Sequence, residues 1–412
     1  MKMFKLQIAV VFLGMLCASC ASTNIENIGQ AEQLKKYDDE ESIWKEVEEA
    51  QEKIKYSGFI YEDPELTAYL NRVLGNLVGE EQRVGLNLKV IVLKDPMFNA
   101  FAYPNGAIYV HTAVLAELDN EAQLATILGH EATHFFHRHA LREMRSVVNK
   151  SAFYNFFNIA TAGAGGASME LANILIGKGI EATVYGYSRD LEREADEGGF
   201  QFLVKAGYDP TQSKAAFERL LEDLKDEKIA APYFYQTHPR VQERVKNFDQ
   251  MIADLKSKTG GELTGKTNAE EFRQATKKLL LQNAEMTLMR NRPDMAQKQI
   301  DRYLAVEPND ARAFCLSGET HLRLAEKLSA DEKKMKEAKT KTEIEDARKQ
   351  AVADFEKSIA LNPEYPDAYR QLGLYYYKNK EKEKAKPYLS QYLKLDPNGD
   401  RADYIRGYLN ES

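Results

Sequence analysis

Four histidines are crowded into one short stretch of the sequence, residues 129–140, which reads GHEATHFFHRHA. The whole chain of 412 residues has 7 histidines, so this stretch holds more than half of them. Imidazole nitrogens are common ligands of zinc, and a site needs several ligands within reach of one ion. The stretch therefore predicts a metal centre, and helical geometry decides which histidines can share it.

Two of the four histidines fall on one face of a predicted helix. Asn120 and Gln123 have the spacing of a capping box, and apolar residues follow at helical spacing, so we predict one helix from 121 to about 146. His130 and His134 are four residues apart on it, close enough for both imidazoles to reach one ion. A pair of surface histidines would have the same spacing, and a catalytic zinc needs a third protein ligand.

The other polar residues of this helix have different expected positions. Glu131 lies beside the two histidines, placed to contact a water molecule at the metal rather than the metal itself. His137 is seven residues beyond His130, about 10 Å along the helix axis, and cannot easily share an ion with both. His139 is nine residues beyond His130, roughly 180° around the helix, and is expected to point away. We therefore expect two ligands here, with Glu131 as a general base.

A second stretch rich in acids, residues 187–199, reads YSRDLEREADEGG. Together with HEATH it resembles zinc metallopeptidase family forty-eight, the gluzincins that include HtpX, the Oma-type peptidases and the CAAX prenyl proteases. The family's second motif is a Glu followed three and four residues later by Ala-Asp, as after Glu192 here. The resemblance implies that Glu192 is the third ligand of one Zn²⁺ per chain and that Asp196 accepts a hydrogen bond from a ligand histidine. Glu194 is expected to be an ordinary surface acid, and a solvated helix face is the alternative for this stretch alone.

A third family motif is His-Pro followed after four residues by Arg, and His238 and Arg244 match it in THPRVQERV. The resemblance implies that His238 either stabilises an oxyanion or approaches the open metal position when substrate is absent. Arg244 would orient His238 or pair with a nearby carboxylate.

A predicted hairpin precedes the histidine helix. Residues 99–115, NAFAYPNGAIYVHTAVL, read as two short strands around a Pro-Asn-Gly turn. In zincin folds such an edge pairs with an extended substrate backbone, and a purely structural hairpin is the alternative. His111, at its end, is expected to be structural.

Residues 160–180, ATAGAGGASMELANILIGKGI, lie between the first two motifs and are rich in glycine, alanine and apolar residues. Polar residues interrupt every apolar run before it is long enough to cross a bilayer. We expect helices or a mobile lid over the cleft.

The N-terminus has the layout of a secretory signal. Lys2 and Lys5 precede a short apolar run at 6–16, and CASC follows. The resemblance of CASC to a lipoprotein box predicts a signal peptide at 1–19 and lipidation of Cys20. The chain would then be tethered on the periplasmic side of a bacterial envelope, with the outer membrane favoured. An ordinary signal peptide cut nearby is the alternative.

The C-terminal part of the chain contains a repeat. Pro363 and Pro397 are 34 residues apart, the period of tetratricopeptide repeats. Such arrays bind peptide or protein segments on a curved surface, so we expect a protein partner there. The expected divisions are a catalytic domain at 20–256, a linker at 257–268 and repeats at 269–412, with a charged insertion near 329–350.

Composition and domain pairing limit the function. The formal net charge of −7 offers no basic surface, so no nucleic-acid partner is expected. The expected fold is an α+β zincin-like catalytic domain, mostly helical with a small sheet, followed by an all-α tetratricopeptide domain. This pairing resembles the periplasmic BepA-like subgroup, which implies an endopeptidase for misfolded or misassembled envelope proteins. A chaperone or binding module with a latent zinc site is the alternative, and a scaffold with a structural metal is disfavoured because only three ligands are assured.

Overall fold

The computed structural model describes most of the chain outside its N-terminus and the segment between the first two motifs. The described residues are 25–28, 37–83, 85–147, 187–223, 238, 241–330 and 338–410. The predicted signal peptide, Cys20 and the predicted lid at 160–180 lie outside them. Within the described residues, no helix is both long enough and apolar enough to span a bilayer.

The chain divides into two compact units. The first consists of Met1–Leu93, Phe98–Val114 and Asn120–Asn268, and the second of Lys94–Met97, Leu115–Asp119 and Ala269–Ser412. The helices described up to residue 259 are α1 (Asp38–Tyr56), α2 (Pro64–Val78), α3 (Glu80–Arg83), α4 (Thr112–Glu117), α5 (Glu121–Phe136), α6 (His139–Val147), α7 (Arg189–Lys205), α8 (Gln212–Asp223) and α9 (Val241–Thr259).

A small three-stranded sheet accompanies these helices, as the expected α+β fold requires. Its strands are β1 (Lys89–Leu93), β2 (Ala100–Ala102) and β3 (Ala107–His111), in the order β1-β3-β2. The predicted hairpin is confirmed: β2 and β3 are antiparallel, with Phe101 opposite Tyr109. Gly106 closes the turn with φ 94°, a conformation that favours glycine. Strand β2 lies at one edge of the sheet.

The helix α5 carries the HEATH sequence and is buried along its whole length. Its first turn is fixed by polar contacts. The side chain of Asn120 accepts a hydrogen bond from the Gln123 amide at 3.0 Å, as a helix cap does. The buried carboxylate of Glu121 accepts hydrogen bonds from the hydroxyls of Tyr69 and Tyr208, each at 2.7 Å. These contacts set the position from which the histidines project.

The prediction of one helix from 121 to about 146 is wrong, because the chain breaks into α5 and α6 at residues 137–138. Arg138 has φ 52°, in the left-handed region, which costs a residue other than glycine roughly 1–3 kcal/mol. Its side chain compensates: Nε donates to the buried carboxylate of Glu40 at 2.8 Å, and Nη1 donates to the Glu26 carbonyl at 2.6 Å. The break turns the chain sharply just after the second histidine of the motif.

Helices α5 and α7 touch backbone to backbone. A Cβ atom added to Gly199 would lie 2.7 Å from the backbone nitrogen of His130, and one added to Gly129 would lie 3.1 Å from the Gly199 carbonyl oxygen. Real Cβ atoms essentially never come as close as 2.7 Å, so Gly199 is needed at this crossing, and the 3.1 Å approach at Gly129 is tighter than most Cβ contacts. The close approach brings the acids of α7 opposite the histidines of α5.

The second unit is all-α in its described residues, as expected for tetratricopeptide repeats. Its helices are α10 (Ala269–Met289), α11 (Pro293–Leu304), α12 (Ala311–Ser329), α13 (Ala338–Leu361), α14 (Pro366–Lys378), α15 (Lys382–Leu395) and α16 (Ala402–Asn410). Consecutive helices pack pairwise, with Gly318 against the ring of Phe355 and Gly373 against Leu389. Helix α9 continues to Thr259, so the first residues of the predicted linker are helical.

The charged insertion is described from residue 338 onward, where it forms the first half of α13. That helix has 24 residues, against 14 in α15. Ile344 and Ala347 of the added part pack with Ala325 of α12. This part of the insertion therefore lengthens a helical hairpin rather than forming a separate loop.

Candidate metal centre

The imidazoles of His130 and His134 face each other on α5. Their Nε2 atoms are 3.0 Å apart, and both side chains are buried. Burial lowers the pKa of both rings well below the usual range, because the charged form loses its hydration. The rings are therefore neutral, which is the form that binds metal ions.

Glu192 reaches the same point from the first turn of α7. Its Oε1 lies 3.5 Å from His134 Nε2, and its Oε2 lies 3.7 Å from His130 Nε2. Burial alone would raise the pKa of Glu192, but the nearby charges of His238 and Arg244 outweigh that effect and the pKa is lowered. The carboxylate is thus held in its ionised, ligating form.

His238 is the fourth member of the cluster. Its Nδ1 lies 3.0 Å from Glu192 Oε1 and 3.3 Å from His130 Nε2. Its Nε2, at the other end of the ring, lies 3.5 Å from Glu131 Oε1. The ring therefore stands between the three residues of the predicted ligand set and the predicted base.

The donor atoms fit a small divalent cation. Two ligands at about 2.0–2.1 Å from a tetrahedral ion lie roughly 3.3 Å apart. The separations within the cluster, from 3.0 to 3.7 Å, bracket that value. All four residues are buried, and their ligand atoms lie within 4.8 Å of one another. Nitrogen and carboxylate oxygen donors are the types that zinc and similar transition metals prefer.

Glu131 is buried next to the cluster without belonging to it. Within the described residues neither of its oxygens meets full hydrogen-bond geometry, although the backbone of Ala102 in β2 approaches closely enough to lower its pKa slightly. Burial dominates and raises the pKa of Glu131 to about 7. A buried carboxyl of this kind can take up or release a proton near neutral pH.

Asp196 and Arg244 form a buried pair behind the first histidine. Asp196 Oδ1 lies 3.1 Å from His130 Nδ1, and Arg244 Nη2 donates to the same oxygen at 2.6 Å. Arg244 Nη1 also lies 3.1 Å from Glu192 Oε2. Arg244 Nη2 also lies 2.9 Å from Nδ1 and 3.3 Å from Nε2 of His130. Arg244 thus meets carboxylates, one of the two positions expected for it.

The expected position of His139 is wrong. His139 is fully buried, and its Nδ1 lies 2.8 Å from Nδ1 of His134. The turn at Arg138 brings it back instead of leaving it on the far side of a continuous helix. Glu194 is partly exposed, as expected of a surface acid, and is paired there: it lies 2.6 Å from His137 Nδ1 and 2.9 Å from Arg142 Nη1.

Tyr187 is a site residue for which sequence reasoning had no signal. Its ring stacks on that of His134, with centroids 4.0 Å apart and planes 18° from parallel. It sits just before α7, at the start of the second motif, where nothing in its residue type or spacing indicates a contact with α5. His111, expected to be structural, is buried at the end of β3 and outside the cluster.

Comparison with known proteins places these residues in one matched region. The profile of "Peptidase family M48" matches residues 64–252, and that of "Tetratricopeptide repeat" matches residues 366–398. Mitochondrial metalloendopeptidase OMA1 of Schizosaccharomyces pombe is 27% identical over 192 residues, 47% of this chain and 55% of that protein.

Two bacterial relatives are similar over the same region. Beta-barrel assembly-enhancing protease of Escherichia coli is 28% identical over 198 residues, 47% of this chain and 40% of that protein. Putative beta-barrel assembly-enhancing protease of Vibrio cholerae is 29% identical over 196 residues, 45% of this chain and 39% of that protein. The chain thus covers about half or less of each relative's length.

The matched region contains the whole cluster, and a metallopeptidase family implies a divalent metal where the buried donors meet. These relatives are named as proteases or metalloendopeptidases. The chain therefore carries a peptidase family M48 domain followed by a C-terminal tetratricopeptide-repeat region.

Proposed function

We propose that the chain is a zinc-dependent endopeptidase that cleaves misfolded or misassembled proteins of the bacterial cell envelope. The observation that carries the proposal is the position of Glu131, a buried carboxyl with a pKa of about 7 beside the four donors. A structural metal site needs ligands but no additional proton acceptor. Peptide hydrolysis needs a proton acceptor next to the metal.

His130, His134 and Glu192 would hold one Zn²⁺ per chain. When bound, the ion supplies Lewis acidity to a peptide carbonyl and makes a water molecule more acidic. The chain keeps the two imidazoles neutral by burial and keeps Glu192 ionised through Arg244 and His238. Asp196 holds the ring of His130 through Nδ1, which leaves Nε2 directed at the cluster.

Glu131 would move the proton during hydrolysis. It accepts a proton from the attacking water and returns it to the leaving amine as the peptide bond breaks. A pKa near 7 suits both steps, because neither protonation state is strongly favoured at neutral pH. The burial of Glu131 within α5 keeps bulk water from competing for that proton.

Strand β2 is proposed to bind the substrate backbone. It lies at the edge of the described sheet, and the backbone of Ala102 approaches the carboxylate of Glu131. An extended peptide that added to this edge would pass beside the base. Pairing through the main chain is largely independent of side chains, which suits unfolded substrates of varied sequence.

His238 supports a second candidate function. Its contacts with Glu192 and His130 put Nδ1 where a fourth ligand would bind, so the resting site would be latent. In that case the protein acts mainly as a chaperone or binding module, and cleavage requires the ring of His238 to move. Once displaced, the same ring could stabilise the oxyanion of the substrate carbonyl.

Substrate recruitment and location complete the proposal. The repeat region would bind the unfolded polypeptide or a protein partner, as tetratricopeptide arrays do. Lipidation at Cys20 after removal of 1–19 would anchor the chain on the periplasmic side of the envelope, with the outer membrane favoured. The names of the bacterial relatives, proteases that enhance β-barrel assembly, favour envelope substrates for this chain as well.

The deciding experiment compares full-length wild type with Glu131→Gln in zinc content and in casein cleavage. We expect the variant to bind one zinc and to lose about 10²- to 10⁴-fold of its turnover, the range for a general base. Glu197→Gln is the matched control, because Glu197 is exposed on α7 outside the cluster. Undiminished cleavage by Glu131→Gln would contradict the proposal.

His238→Ala then separates the two candidate functions. If His238 blocks a latent site, cleavage by the variant rises above that of the wild type. If His238 serves mainly to stabilise the oxyanion, cleavage falls while zinc content is unchanged.

A further inference from the structure

We propose that His139 and Glu194 are positioning residues for His134, linked to it by a chain of polar contacts. Nδ1 of His139 lies 2.8 Å from Nδ1 of His134, and Nε2 of His139 lies 3.6 Å from Oε2 of Glu194. The inference rests on the proposed function, because it requires His134 to bind the metal through Nε2. It assigns roles to two residues that lie outside the donor cluster.

The burial of His139 is the first observation. Its side chain is completely enclosed, and within the described residues its Nε2 has no partner at normal hydrogen-bond distance. The carboxylate of Glu194, at 3.6 Å, is the acceptor towards which this nitrogen is directed. An enclosed imidazole is normally hydrogen-bonded at both nitrogens. The position of His139 is explained if one nitrogen accepts a hydrogen bond from His134 and the other is directed at Glu194.

The proton inventory follows from the contacts. His134 Nε2 lies among the donors of the cluster, so it carries no proton when it binds a metal. A neutral imidazole has one N–H, which in His134 is then on Nδ1. That N–H donates to Nδ1 of His139, whose own proton must be on Nε2, directed at Glu194. Every proton in the series of contacts from His134 through His139 to Glu194 is thereby assigned. The hydrogen bond fixes the ring of His134 at Nδ1, the nitrogen opposite the metal.

A second metal site is the rival explanation, since His137, His139 and Glu194 also bring ligand atoms within 4.8 Å of one another. Such a site would need Nε2 of His139 without a proton, and hence the proton on Nδ1. The N–H at Nδ1 of His139 would then have to donate to Nδ1 of His134. The proton of His134 would be on Nε2, and Nε2 could not bind the first metal. Arg142 already supplies a cation to Glu194, at 2.9 and 3.0 Å from its two oxygens. The geometry therefore favours positioning over a second metal.

The local fold supports this role. His139 reaches His134 only because Arg138 adopts a left-handed conformation, and that conformation is held by a buried ion pair with Glu40. The ring of Tyr187 stacks on the other side of this arrangement, 4.0 Å from His134 and 6.0 Å from His139 between centroids. His134 is thus held by a hydrogen bond at its edge and by an aromatic ring on its face.

The test measures zinc affinity of the full-length protein by competition with a chelator, together with zinc stoichiometry. His139→Phe removes both nitrogens and is expected to weaken zinc binding about 10- to 100-fold, the usual effect of losing a group that orients a metal ligand. His139→Asn keeps an acceptor near the Nδ1 position and should restore much of the affinity. Rescue by Asn would not be expected if His139 served only to fill space.

His137→Phe is the matched control. His137 contacts Glu194 at 2.6 Å and belongs to the rival metal site, but it is not part of the proposed series of contacts from His134 through His139 to Glu194. Positioning predicts one zinc per chain in every variant, with the affinity of His137→Phe within about 3-fold of wild type, well short of the loss of an orienting group. A second metal site predicts two zinc ions in wild type and one in both the His137 and the His139 variants.

Two outcomes distinguish failure of this inference from failure of the proposed function. If wild type binds zinc through His130 and His134 but His139→Phe and His139→Asn bind it equally tightly, the positioning role is overturned and the peptidase proposal stands. If wild type binds no zinc, or binds it undiminished after His134→Phe, the proposed function and the inference both fail.

Discussion

The carboxylate of Asp196 and the guanidinium of Arg244 lie 2.6 Å apart, both fully enclosed, at the back of His130. Asp196 is on α7 and Arg244 is on α9, so the pair connects two helices to the histidine of a third. Each partner has a second contact in the cluster, Asp196 with His130 and Arg244 with Glu192. Alignment of the ligands and cohesion of the three helices therefore depend on the same two side chains.

Breaking this pair should reduce both stability and metal affinity. Asp196→Asn removes the nearer of the two carboxylates that contact Arg244 and is expected to lower the free energy of unfolding by about 3–5 kcal/mol. Zinc affinity should fall about 10- to 100-fold, because a neutral amide orients the ring of His130 less strongly than the carboxylate does. Urea unfolding of the metal-free protein and chelator competition measure the two effects. Asp190→Asn, an exposed residue on the same helix, is the control and should change the unfolding free energy by no more than about 0.5 kcal/mol.

The metal-free protein should lose stability as Glu131 ionises. The pKa of this carboxyl is raised from 4.5 to about 7 by burial, so the folded protein binds the proton more tightly than the unfolded chain does. The resulting stabilisation is fully present below pH 4.5 and is lost as the pH rises through 7. Wild type should lose roughly 3 kcal/mol relative to Glu131→Gln across this interval. Unfolding free energies of the two metal-free proteins, measured from pH 4 to 8, give the difference, and parallel curves would contradict the prediction.

Glu194 should have the opposite effect to Glu131 on the pH dependence of stability. Its contact with the imidazole of His139, together with Arg142, lowers the pKa of Glu194 from 4.5 to about 2. A carboxyl with a lowered pKa contributes stability above pH 4.5, and that contribution is lost as the pH falls towards 2. Wild type and Glu194→Gln should therefore converge in stability with increasing acidity. A constant difference between their unfolding midpoints from pH 5 to pH 2.5 would show that the carboxylate is not stabilised by these partners.

The glycine contact between α5 and α7 predicts a steric effect. A methyl group at Gly199 would lie 2.7 Å from the backbone nitrogen of His130, and neither helix backbone can yield locally. Gly199→Ala should cost about 1–3 kcal/mol through overpacking and should weaken zinc binding, because it moves Glu192 away from the histidines. Gly407→Ala is the matched control: it lies in a helix with nothing within 4 Å, so alanine should stabilise it by about 0.5–1 kcal/mol. Thermal melts and zinc titration of both variants compare the two sites.

Local periodicity accounts for what was predicted correctly. The spacing of His130 and His134 needs only one turn of helix, and the hairpin at 99–115 needs only a turn sequence between two short strands. The all-α character of the C-terminal region follows from a repeated pattern of small and large residues, with Gly318 and Gly373 facing larger partners as that pattern requires. Each of these features is decided within about 35 residues, the length of one repeat unit.

The errors arose where one backbone angle changed the course of the chain. A continuous helix carries His139 away from His134, whereas the left-handed Arg138 turns it back to 2.8 Å. The conformation of Arg138 depends on Glu40, 98 residues earlier, so no local pattern around the motif reveals it. Tyr187 has no local signal for the same reason, because its partner His134 lies on a different helix.

The amino-acid sequence by itself determined the chemistry available to this protein: two histidines and a glutamate on one helical turn, acids on a second helix, and a C-terminal repeat. Residue types and short-range spacing are sufficient for that, because helical geometry is set by neighbouring residues. Tertiary structure decided the distances at which Glu192 and His238 meet the histidines, the burial of Glu131 that raises its pKa to about 7, and the contact of His139 with His134. Those properties depend on burial and on distances between segments far apart in the chain.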